Sequence, residues 1–132
     1  MTTIQNNVTI EKSVQEVFAF LTDLNNHEQL MPENIYNWSS TADEARFTIQ
    51  NMAKLALKVE ERIVDQEIKL VPAEKAPFDV TLKWTLSAVA ADVTIATFTI
   101  DADLNMMMKM IASGPLQKLA DFQVNKLKEI LG

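Results

Sequence analysis

The sequence predicts an α+β fold: a strongly curved antiparallel sheet of about six or seven strands, wrapped round one long, kinked C-terminal helix, with two short helices after the first strand. Three observations predict it. Apolar and polar residues alternate through most of the span from Ile35 to Leu104, the period-two signature of strands with one buried face. Asp and Asn mark several of the short connections, so neighbouring strands run antiparallel rather than through crossover helices. The last quarter switches to helical period, with Leu116, Leu119, Ala120, Val124, Leu127, Ile130 and Leu131 in one stripe, so a single long helix must cover the apolar face of the sheet.

Each element has its own signal. Ile4, Asn6, Val8 and Ile10 share one face of a first strand, with Asn6 a polar intruder read as hydrated near a strand end. Ser13 and Glu16 have the spacing of a capping box, and Val14, Val17, Phe18, Leu21 and Leu24 follow at helical spacing. A short helical turn from His27 to Leu30 stops before Pro32. Ile35–Trp38 is a weak strand; Ala45, Phe47 and Ile49 alternate in the next. Leu55, Leu57, Val59 and Ile63 share a face with Glu61, and Ile68 and Leu70 precede Pro72. From Phe78 to Ala88 the alternation is clean, with Phe78, Val80, Leu82, Trp84 and Leu86 on one side. In 93–104 the apolar phase moves from Val93 and Ile95 to Ala96, Phe98 and Ile100, which predicts a bulge near Ile95–Ala96. Asn105 caps the final helix, where Gly114-Pro115 predicts a kink or a break, because Pro115 cannot donate to the carbonyl of Ile111.

Composition narrows function. The 132 residues form one domain, 1–132, at 48 % hydrophobic and 23 % charged. A net charge of −6 without a basic cluster argues against nucleic acid. No cysteine is present, so disulfides, thiolate nucleophiles and Cys-based zinc sites are excluded. The N-terminal residues do not read as a signal peptide and no apolar run reaches a membrane span, so a cytoplasmic protein without membrane insertion is expected.

The stretch VTIEKSVQEVFAFLTDLNNHEQLMPENI, Val8 to Ile35, resembles the opening strand, capped helix and short pre-proline helix of the START-like, or polyketide-cyclase/dehydrase-like (SRPBCC), superfamily. The order of the remaining elements and the long last helix extend the likeness over essentially the whole chain. The resemblance implies the helix-grip fold and a hollow between sheet and helix; members bind lipids, steroids or aromatic polyketides there, and some catalyse cyclisation. The matching positions, Val17, Phe18, Leu21 and Asp23 among them, are packing positions and not a catalytic signature.

The expected function is therefore binding of a small apolar or amphipathic molecule in that hollow, against Leu57, Val59, Trp84, Phe98 and the Met106–Met110 face, with Glu61 as a candidate polar member. Four methionines fall within Met106–Met110; they read as core filler or as adaptable pocket lining, with Met106 and Met110 on one face and Met108 pointing elsewhere. Strict alternation points Glu61 inward, and a bulge would turn it out; buried, it could move a proton in a cyclase- or dehydratase-type reaction. A third reading is a ligand-free protein-interaction module, and a homodimer is compatible with any of the three. His27, the single histidine, reads as a solvated loop residue, and Asp101 and Asp103 as a solvated strand face. No catalytic constellation, metal site or cofactor motif is expected.

Overall fold

A computed structural model describes all 132 residues, Met1 to Gly132. Seven strands form one antiparallel sheet: β1 Thr2–Ile10, β2 Ile35–Ser40, β3 Glu44–Ile49, β4 Ala53–Ile63, β5 Glu67–Pro72, β6 Val80–Ala90 and β7 Val93–Ala102. Their order across the sheet is β1-β7-β6-β5-β4-β3-β2. The chain therefore pairs β1 with β7 and then folds back as a meander. Between β1 and β2 lie α1, Val14–Leu21, and a 3-10 helix, Leu24–Leu30; α2, Met106–Leu131, ends the chain. This is the predicted α+β architecture, and no helix is long and apolar enough to cross a membrane.

Alternation decides which face is buried. On β6, Val80, Leu82, Trp84 and Leu86 are buried, and on β7 Thr94, Ala96, Phe98, Ile100 and Ala102. α2 lays Ala112, Leu116, Leu119, Ala120, Gln123, Val124 and Leu127 onto that face. Ser13 caps α1 as predicted, accepting from the Glu16 amide at 3.2 Å. The Glu16 carboxylate takes the Ser13 hydroxyl at 3.3 Å, which makes the box a side-chain pair.

Two local expectations are corrected. β7 has no bulge at Ile95–Ala96; its pairing with β1 runs unbroken from Thr2↔Ala102 to Ile10↔Thr94. The apolar phase never shifts, because the inward residue before Ala96 is Thr94, whose hydroxyl donates to the carbonyl of Lys12 at 2.9 Å. That bond offsets the cost of burying it. Of the two outcomes expected at Pro115, the break does not occur, and α2 runs as one helix from Met106 to Leu131.

Candidate functional site

Where the 3-10 helix, the inner face of the sheet and α2 meet, a small void remains. Leu24, His27, Met31, Trp38, Ala45, Phe47, Leu57, Leu70, Leu82, Phe98, Leu119 and Gln123 line it. Ten of the twelve are hydrophobic, and the free volume is about 20 Å³, room for about one water molecule. The wide hollow implied by the resemblance is filled by the side chains of its own walls.

The rim and the floor differ. Leu57 and Phe98 are fully buried, whereas Met31 and Trp38 are half-buried. Trp38 stacks on Phe47 with centroids 5.5 Å apart and planes 13° apart. Its Nε1 donates to Ser40 Oγ at 2.9 Å, and that hydroxyl donates to Asn25 Oδ1 at 2.8 Å. This relay joins β2 to the 3-10 helix at the mouth. Three residues earlier Arg62 holds the same end: Nε donates to Thr22 Oγ1 at 2.7 Å, and Nη2 to the carbonyls of Thr22 and Ala42 at 2.9 and 3.1 Å.

The void has two polar walls, and both departed from expectation or escaped it. His27 is not solvated. It is 3 % exposed, and Nε2 lies 2.7 Å from the carbonyl oxygen of Leu21, the last residue of α1. A carbonyl can only accept, so Nε2 carries the hydrogen, and the imidazole satisfies one of the orphan carbonyls of that helix end. Burial pushes its pKa down from 6.5, against the raising effects of the Leu21 hydrogen bond and the nearby Asp23 charge. Gln123 is 1 % exposed. Its amide nitrogen sits 4.0 Å from the sulfur of Met31, and its Oε1 has no partner. The signal for Gln123 was in the sequence: it lies four residues after Leu119 and four before Leu127, inside the buried stripe.

The sequence-selected residues divide. Leu57 and Phe98 line the void. Trp84 lies behind it, its ring 4.9 Å from that of Phe98 and its Nε1 buried without a partner. Val59 packs half-buried against the core. Glu61 faces outward: pairing steps from Val59↔Leu70 to Glu61↔Lys69, so Glu60 is an extra residue in β4. That bulge reverses the strand phase, leaves Glu61 exposed and removes the buried carboxylate on which a cyclase-type reading depended. Met106 and Met110 are 82 and 84 % exposed and do not line the void. The reason is phase. Stepping the buried stripe back four residues from Ala112 reaches Met108, which packs against the core, and leaves its neighbours in solvent.

Solved structures share this architecture. A START superfamily protein from Mycobacterium smegmatis matches with a TM-score of 0.68 at 15 % identity, over 97 % of this chain and 98 % of that one. The di-domain ARO/CYC protein BexL from the BE-7585A biosynthetic pathway matches with a TM-score of 0.73 at 10 % identity, over 98 % of this chain and 46 % of that one. The Aha1 dimer from Colwellia psychrerythraea gives a TM-score of 0.71 at 20 % identity, over 99 and 96 %. No family model and no curated protein matches the chain. At such identities the likeness establishes the fold.

Proposed function

We propose, from the premise that this chain has the START-like helix-grip fold, that it binds a small apolar or amphipathic molecule at the seam between the sheet, the 3-10 helix and α2. One observation carries the reading: Gln123 brings an unpartnered carbonyl into an otherwise apolar enclosure. Leaving a buried acceptor unsatisfied costs about 1–3 kcal/mol, and a guest that donates to it would recover that cost. Binding sites of this kind are apolar with few convergent polar groups. The guest enters by displacing the half-buried Met31 and Trp38; the unbranched thioether of Met31 adapts readily. No titrating group with a shifted pKa other than neutral His27 reaches the seam, so the reading is binding without chemistry.

Native mass spectrometry of gently purified protein, with displacement of the dye ANS by apolar compounds, tests this. A co-purified small molecule, or saturable displaceable dye binding that also perturbs Trp38, is expected. Absence of both overturns it.

A second reading rests on the exposed apolar cluster at the start of α2, formed by Met106, Met107, Met110 and Ile111. Contiguous apolar surface of this kind marks interaction sites. Gly114 follows on the same helix with no heavy atom within 4 Å of where a Cβ would stand, so another helix could approach closely. The occupant proposed is a second copy of this chain, paired helix to helix across Gly114. Sedimentation across a concentration series decides it: a rising mean mass supports the pairing, and an unchanging monomer removes it.

A further inference from the structure

We infer that the seam selects neutral guests carrying a hydrogen-bond donor, an alcohol or phenol, and rejects carboxylates of the same size; this rests on the binding reading above. The polar inventory of the enclosure is short. Gln123 and His27 are its only polar side chains, and no Lys, Arg, Asp or Glu lines it. The Gln123 amide nitrogen faces the Met31 sulfur, which can only accept, so Oε1 is the atom left over, and it has no partner. The one hydrogen of the neutral His27 ring is committed to Leu21 at 2.7 Å, so its other nitrogen can only accept. Both groups therefore offer lone pairs, and the one further hydrogen, the second N–H of the Gln123 amide, carries no charge.

A carboxylate brought here meets two acceptors and, as donors, only the neutral N–H groups of one amide. It would lose its hydration without a cation to replace it, which is the costly case of charge burial. His27 does not supply the cation, since burial keeps its imidazole neutral at ordinary pH. The chain's net charge of −6 adds long-range repulsion. A hydroxyl fits both polarity and size: the space beside Gln123 admits about one water-sized group, at about 20 Å³. The rest of the guest, too large for that space, takes the room that displaced Met31 and Trp38 leave, beside Phe47.

Three probes sharing one ring system separate the possibilities at pH 7.5: 1-naphthol, naphthalene and 1-naphthoate, titrated against the full chain and against Gln123→Met. The variant keeps side-chain length and removes the acceptor, and loss of an unsatisfied polar group leaves it folded. The expected order is naphthol tighter than naphthalene by about tenfold, a typical return for one buried hydrogen bond, with naphthoate weaker than both. Gln123→Met is expected to lose the preference for naphthol over naphthalene, whatever its affinity for naphthalene itself. Naphthoate binding as tightly as naphthol, or a naphthol preference unchanged in Gln123→Met, overturns this inference and leaves the binding reading standing. Failure of all three probes overturns both.

Discussion

The Nε2–H of His27 donates to the carbonyl of Leu21 across 2.7 Å, tying the middle of the 3-10 helix to the end of α1. The pair has a pH signature. Burial lowers the folded-state pKa of His27 below 6.5, whereas the unfolded chain takes up a proton near 6.5. Below that pH the unfolded state binds more protons, so stability falls as pH drops, until the folded imidazole itself titrates. Urea midpoints at pH 7.5 and 5.5 are expected to differ more for the native chain than for His27→Gln, whose amide can still donate to Leu21. Equal pH slopes in the two proteins would remove His27 as the source.

Leu119 is 2 % exposed and lines the void from α2. Leu119→Ala is expected to cost about 2–5 kcal/mol, the range for a buried leucine that leaves a cavity. The enlarged space should also take naphthalene more tightly. Chemical denaturation and a naphthalene titration measure the two effects, which should move in opposite directions.

Glu61 stands on the outer side of the β4 bulge. Glu61→Gln is expected to change stability by no more than about 0.5 kcal/mol, as surface substitutions do, and to leave dye binding unaltered. A thermal melt and an ANS titration check both.

Met110 separates surface from core. At 84 % exposure, Met110→Lys should leave the monomer's stability within about 0.5 kcal/mol and its ligand affinity unchanged. Any self-association seen by sedimentation should be lost, because a lysine would face the partner's apolar helix.

Arg62 ties β4 to the end of α1 and to the β2–β3 turn through Thr22, Ala42 and Asp43, the last by an ion pair at 2.9 Å. Arg62→Ala is expected to cost about 1.5–3 kcal/mol, the range for hydrogen bonds to a charged group. Amide exchange should rise in residues 22–30 before it rises in β6 or β7.

The β-sheet and the C-terminal helix were legible because alternation and helical period are local properties of the chain. What was not legible depended on a partner. The Glu60 bulge is fixed only by pairing with β5, so alternation left Glu61 open between inward and bulged outward, and the outward placement is the one found. Thr94 reads as a phase error until its bond to Lys12 is known. His27 sits in a helix too short to display a face, and the Leu21 carbonyl decides its burial. The methionine cluster was different. The stripe from Leu127 back to Ala112 already pointed to Met108 rather than Met106 or Met110, and residue type was given more weight than phase. Of the void's lining, Leu57 and Phe98 were legible as inward apolar positions, and His27 and Gln123 were not read as part of it.

The Arg62 clamp sets a direction for any opening. It ties Thr22, at the α1 end of the 3-10 segment, to β4 with two hydrogen bonds and reaches the β2–β3 turn through Ala42 and Asp43, and the Ser40 hydroxyl holds Asn25 at that same end. The segment's side-chain ties to the sheet therefore lie at its first residues, and Met31 at its other end has none to the sheet. On the binding reading, a guest gains admission at that Met31 end, away from the fastened one.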